Sequence, residues 1–317
     1  MSSAALVQLA LKKLGGSQKE LAAHIGVSTA QISKWKKDEH ISVEMMNKFL
    51  AIIDIGERVP DFVLWAGSLE SAIKWERLIQ HLADVAVAGE ETGYDTDLLT
   101  DELDLLCWRT VDTLAKMGVT VPETFPAELN IDYDEAENSW ELIDKNPTAR
   151  IIRMLFESLV DVYGFYKAYV INLIFNSELD YSEANANIDS CLFSLAATKL
   201  KAADVDGLTK MFASFRHQVV SDYQVWLNEL KGQAFRAGIP LEAELLDLIY
   251  RDNDELRDKA EEKSLGHLFA SSPLHPDIYM NELLQGMRVI HQVLPVILKK
   301  LGIEQEFKLN ESELKLS

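Results

Sequence analysis

The stretch Ser17-Gln18-Lys19-Glu20-Leu21-Ala22-Ala23-His24-Ile25-Gly26-Val27-Ser28-Thr29-Ala30-Gln31-Ile32-Ser33-Lys34-Trp35 decides how the first part of this chain folds. Ser17 with Glu20, and Ser28 with Gln31, have the spacing of a capping box, in which a hydroxyl and a longer polar side chain satisfy free amides at a helix start. The spacing predicts two helix beginnings. Leu21, Ala22 and Ile25 share one face of the first helix, and Ile32 and Trp35 stand three apart on the second. Gly26 lies between them, where a chain leaving a helix often adopts positive φ. Two short helices around a glycine turn form a helix-turn-helix.

Outward from this stretch the pattern stays helical. Ala4 to Leu14 reads as a first amphipathic helix, closed by Gly15-Gly16, with Lys12 and Lys13 near its end, where the helix dipole favours cations. Lys36 to His40 reads as a loop, and Ser42 can cap a fourth helix carrying Val43, Met46, Phe49, Leu50 and Ile53. Glycine and proline at Gly56 and Pro60 then interrupt the pattern, so a compact head is expected over residues 1–56.

The run Ser17 to Trp35, with the helix after Ser42, resembles the phage repressor and Cro-like class of helix-turn-helix domains, also called the xenobiotic-response-element type. Gln18, Glu20-Leu21-Ala22, Gly26-Val27-Ser28 and Ile32-Ser33-Lys34-Trp35 carry the resemblance; His40-Ile41 replaces the proline-containing loop of many relatives. It covers the head alone. The resemblance implies double-stranded DNA as partner. Gln18 would meet a phosphate and brace the recognition helix, Thr29, Ala30 and Lys34 would face base edges, and Gln31 and Ser33 would flank them. The chemistry agrees: a recognition helix enters the major groove by its N-terminal end, where lysine can donate to guanine acceptors and small side chains approach a thymine methyl. Lys36 and Lys37, just beyond, suit phosphates. Trp35 is expected in the core, one turn after Ile32, and His24 on the surface.

Charge is divided unevenly. The whole chain of 317 residues carries −20, yet residues 1 to 60 hold eight Lys or Arg against six Asp or Glu, leaving the remainder at −22. A basic face on an acidic body is what DNA, a dense line of phosphate, would select: the head makes contact and the body is held away. Cys107 and Cys191 lie far apart without a CxxC pattern, which suggests reduced core thiols in a cytoplasmic protein. The apolar run Tyr169 to Phe175 is broken by Asn172 and too short for a bilayer, so no membrane partner is expected.

The body reads as helices throughout. Phe62 to Ala88 and Asp97 to Met117 look like a helical hairpin over residues 61–117, and residues 118–147 form an irregular linker with three prolines. A C-terminal helical domain over 148–317 follows, with helices expected from Pro147 to Phe175, Glu183 to Ala203, Asp206 to Ala237, Pro240 to Lys263 and Pro276 to Leu301. No stretch alternates with period two. The fold class is therefore all-α, a small helix-turn-helix domain followed by a larger helical-bundle or helical-repeat-like body. No repeat of about 34 residues recurs along the chain.

Enzyme chemistry is hard to find. The chain has no HExxH, P-loop, GxSxG or glycine-rich dinucleotide loop, and His217, His267, His275 and His291 are scattered. Glu242, Glu244 and Asp247 have metal-compatible spacing, but so acidic a chain offers such spacings by chance, and no metal or cofactor is expected. Most of the aromatics between Phe156 and Phe175 read as core, with a ligand pocket as the alternative. The charge run Arg251 to Lys263 reads as a solvated face with Glu255 and Lys259 at pairing distance. The sequence thus points to a non-enzymatic, sequence-specific DNA-binding regulator, a homodimer whose body pairs and senses a peptide, small-molecule or protein effector. The alternative is an antitoxin-like or phage-defence interaction protein that binds a partner through its acidic body.

Overall fold

The computed structural model describes residues 2–100, 102–122, 124–133, 135–136, 139–176, 188–201, 210–268 and 276–303. Within them the secondary structure is helical, without a strand. Five helices open the chain: α1 (Ser3–Leu14), α2 (Gln18–Ile25), α3 (Thr29–Trp35), α4 (Val43–Ile53) and α5 (Pro60–Trp65). The first four begin at serine caps, Ser2, Ser17, Ser28 and Ser42, each accepting a hydrogen bond from an amide in the first turn. Pro60 opens α5 at a position where its missing N–H costs nothing.

The helical stretch expected from Phe62 to Ala88 is broken into α5 and α6 (Leu69–Ala88). Gly67 takes φ +82°, a left-handed turn that ends α5, and the Ser68 hydroxyl accepts from the Ser71 amide to start α6. The break lets α5 pack on α1 while α6 packs on the body, and Trp65 meets Trp75 edge-on across it at 5.3 Å between ring centres. The second arm also divides, into α7 (Asp97–Thr100) and α8 (Leu103–Met117). A short 3-10 turn at Ala127–Leu129 and α9 (Ser139–Lys145) occupy the proline-rich stretch.

The body is built around α10 (Pro147–Phe165). It starts at Asn146, whose side-chain oxygen accepts from the Thr148 and Ala149 amides, and it runs through a wide π turn at Tyr166–Val170 into α11 (Ile171–Asn176). Phe156, Leu159, Val162 and Phe165 are fully buried on it. Around it lie α6, α9, α12 (Ile188–Thr198) and α15 (Asn253–Leu268), while α13 (Lys210–Ala237) packs on α8 and α12. A helix with distant neighbours on several sides is a bundle core; in a solenoid each repeat touches only the next.

Two expectations change here. The helix expected from Pro240 to Lys263 is instead α14 (Asp247–Tyr250), an extended Arg251 and then α15, whose charged side chains are largely exposed, as expected of a solvated face, while Leu256 and Ala260 on the opposite side are fully buried against α10. Glu255 does not pair with Lys259; it accepts from Arg251 at 3.0 Å, while Lys259 reaches Asp247. Cys107 is buried and Cys191 only half-buried, and neither is in a disulfide. Phe156, Tyr163, Phe165 and Tyr166 lie in the core, with Tyr169 partly buried. The Phe175 and His267 side chains, His275, and the expected starts at Glu183 and Asp206 lie outside the described residues. The last helix, α16 (Pro276–Leu301), matches the expected span.

Candidate nucleic-acid interface

Local chemistry builds the head from its caps. The Ser17 amide donates to Glu20 Oε2 at 2.6 Å and the Glu20 amide to Ser17 Oγ at 3.4 Å, a complete capping box. Gly26 at φ +82° closes α2, its amide donating to the Ala22 carbonyl at 3.0 Å, and Ser28 Oγ then accepts from the Gln31 amide at 3.2 Å to open α3. Leu21, Ala22, Ile25, Ile32 and Trp35 point inward.

Trp35 sets the depth of α3. It is 4% exposed, meets Phe49 of α4 edge-on at 5.7 Å, a pairing worth about 0.5–1.5 kcal/mol beyond its buried area, and donates from Nε1 to the His40 carbonyl at 3.2 Å. That last bond folds the His40-Ile41 loop back so that Ser42 can cap α4. With Ile32 and Trp35 anchored, the 100° step of a helix turns Thr29, Ala30, Ser33 and Lys34 to solvent, and all four are exposed.

The residues expected to meet DNA fall into three groups, with Gln31 apart from them. Ser33 Oγ donates to Gln18 Oε1 at 3.3 Å and to the Thr29 carbonyl at 3.0 Å, which ties the start of α2 to the middle of α3. Ala30 and Lys34 follow one another by a turn on the same exposed side. Gln31 is set apart, half-buried at the edge of that side, and Lys36 and Lys37 stand exposed where α3 ends. His24 lies on the surface, as expected.

A second set of contacts was not foreseen from spacing. Asp38, just past the lysines, adopts φ +65° and accepts from Ser2 Oγ at 2.8 Å and from the Ala4 amide at 3.3 Å. The Ser2 hydroxyl first, then the Ala4 amide, holds its carboxyl below the usual range. Ser3 Oγ, itself buried, donates to the Trp35 carbonyl at 2.9 Å and the Glu39 carbonyl at 2.8 Å. The end of α3 is thereby pinned to the start of α1. No sequence signal marks Asp38 beyond an acid in a left-handed position, a conformation that spacing does not display.

The acids suspected of metal binding are engaged otherwise. Glu242 pairs with Lys263, Glu244 with Lys231 at 2.7 Å, and Asp247 with Arg251 at 3.2 Å and with Lys259. Among the described residues no three of His, Cys, Asp or Glu gather as a metal site, and no helix is long and apolar enough to cross a membrane. The body does carry a groove of about 710 Å³ between α8, α12 and α13, lined among others by Trp108, Cys191, Phe215, Val219 and Tyr223. None of the residues that line it belongs to the aromatic stretch from Phe156 to Phe175.

No curated protein and no solved structure matches this chain. The family model described as Helix-turn-helix matches residues 7–58, which assigns the N-terminal segment, though not the body behind it, to the Cro-like helix-turn-helix class.

Proposed function

We propose that this chain is a sequence-specific transcription regulator that binds double-stranded DNA through residues 1–56 and pairs, as a symmetric dimer, through its C-terminal helical domain at 148–317. One observation carries the reading: α3 lies on the surface of a helix-turn-helix segment with Thr29, Ala30, Ser33 and Lys34 turned to solvent. Gln18, held to Ser33, braces α3 and meets a phosphate; Thr29, Ala30 and Lys34 read base edges; Gln31 flanks them; Lys36 and Lys37 take phosphates. A seven-residue recognition helix contacts few base pairs, so a second head is needed, and a two-fold body sets the separation of the half-sites. The charge division supports the same orientation, since the −22 of the body turns it from the phosphates. The groove between α8, α12 and α13 is where an effector would act on that spacing.

The test is retention of sheared genomic DNA by purified full-length protein at two salt concentrations, followed by sequencing. A few enriched sites containing an inverted repeat are expected. A folded protein that enriches no site at either salt concentration would overturn the reading.

A further inference from the structure

The helix α16 carries its apolar residues on the outside. Leu283, Met287, Ile290, Leu294, Ile297 and Leu301 follow one another by alternating steps of four and three, the spacing of a heptad seam. Five of them are 44–64% exposed, and Leu294 is half-buried. Leu284 and Val293 flank the strip at 47% and 45% exposure, while Val289 and Val296 lie off it, further around the helix. The helix touches the body at Gly286, where an added Cβ would lie 3.8 Å from the Phe235 ring, but this contact leaves the strip bare. Pro295 falls one position after Leu294, off the seam, in a helix that is continuous from Pro276 to Leu301.

The size, period and charge of this strip point to one occupant. A soluble monomer seldom leaves more than a few hundred Å² of contiguous apolar surface uncovered. The six seam residues with Leu284 and Val293 at their flanks, meeting the same eight of a second copy at about 60 Å² each, remove on the order of 1,000 Å² from water, at the lower edge of what a specific interface needs. Alternating three and four steps match another helix of the same repeat. A lipid surface would call for several basic residues along the polar face, whereas Arg288 is the one Lys or Arg between the ends of α16, with Asp277 and Glu282 in the first two turns and Lys299 and Lys300 in the last. Pairing in parallel stacks like charge on like. Antiparallel pairing lays the acidic end of one copy beside the lysines of the other and opposes the two helix dipoles.

We infer that α16 is the surface through which two copies of this chain pair, as an antiparallel helical seam with the two-fold axis crossing near Ile290. The inference rests on the reading of the protein as a two-fold regulator and names the surface that supplies the two-fold.

Sedimentation velocity of the full chain over a concentration series, without DNA, tests it. The wild type is expected to sediment as a dimer at micromolar concentration, and Ile290→Asp with Ile297→Asp to raise the dissociation constant by at least about tenfold with an unchanged far-UV spectrum. Lys299→Glu with Lys300→Glu should also weaken self-association, and mixing with Asp277→Lys/Glu282→Lys should restore it as a mixed dimer. A monomeric wild type, an undisturbed dimer in the aspartate variant, or a wild-type monomer that instead binds anionic vesicles would overturn the pairing. Charge variants that pair as tightly alone as mixed would overturn the antiparallel arrangement. A dimer that retains no specific DNA would overturn the regulator and spare the seam; a monomer that retains specific DNA would do the reverse.

Discussion

Arg58 grips Glu76 through two parallel hydrogen bonds, Nε to Oε1 at 2.6 Å and Nη2 to Oε2 at 2.9 Å, and so joins the loop after α4 to the first body helix. The Glu76 side chain is 10% exposed and that of Arg58 30%, and Arg58 Nη1 also donates to the Ile55 carbonyl. A forked pair of this kind fixes direction as well as distance. Removing the carboxylate leaves a half-buried guanidinium without its partner, so Glu76→Ala should cost on the order of 2 kcal/mol in urea unfolding. A loss below about 0.5 kcal/mol would place the pair with ordinary surface salt bridges.

The lysines of the head should separate by DNA sequence. Lys34→Ala is expected to lose about 1–3 kcal/mol at the matched site and little elsewhere, because a base contact is lost. Lys37→Ala should weaken binding to every DNA alike and lower the salt slope by about 1. Equal losses on all sequences for both variants, in fluorescence titrations at several salt concentrations, would remove Lys34 from base reading.

Gly164 is a close-approach position within α10. A Cβ there would lie 2.5 Å from Thr92 Cγ2 and 2.6 Å from Thr92 Cβ, and Thr92 is fully buried, its hydroxyl donating to Glu90. Glycine to alanine inside a helix ordinarily stabilises by up to about 1 kcal/mol. Here overpacking should win, and Gly164→Ala should destabilise by about 1–3 kcal/mol with a lower melting temperature. An unchanged or raised melting temperature would show that the Thr92 turn yields freely.

Asp161 gives the body a pH response. It is 9% exposed on α10, and burial raises its pKa from 3.8 to about 7, opposed by Arg257 and reinforced by Asp254, Glu91 and Glu157. The folded state therefore binds this proton more tightly than the unfolded chain, so the contribution is most favourable below pH 3.8 and is lost as pH rises toward 7. Asp161→Asn removes the ionisation. Relative to wild type it should gain about 1–3 kcal/mol at pH 8 and much less at pH 5, by denaturant unfolding at both values. An equal effect at the two pH values would mean that Asp161 does not change protonation on folding.

The parts of the fold and site that were legible share one property: their signal is local. A serine cap, the glycine after Ile25 and the inward pair Ile32 and Trp35 act within one or two turns, and adjacent residues display them. The same holds for Pro147 at the start of α10. The breaks at Gly67 and near Arg251 were missed because a helical period continues across them, and only packing against α1 or α10 decides which way each segment turns. The burial of Leu256 and Ala260 is of the same kind: two inward contacts among ten charged neighbours are covered only because α10 supplies a surface for them.

Composition and spacing by themselves determined that this chain is all-α, that its first segment is a helix-turn-helix, and which side of α3 faces outward, since each follows from hydrogen bonds and periodicity within a few residues. Tertiary structure alone decided that Asp38 pins the end of α3 to α1, that Arg58 and Glu76 lock the head to α6, and that the acids at 242, 244 and 247 pair with three lysines and Arg251. These partners lie up to tens of residues apart, and a contact of that reach exists only when the hydrophobic core has brought the two chain segments together.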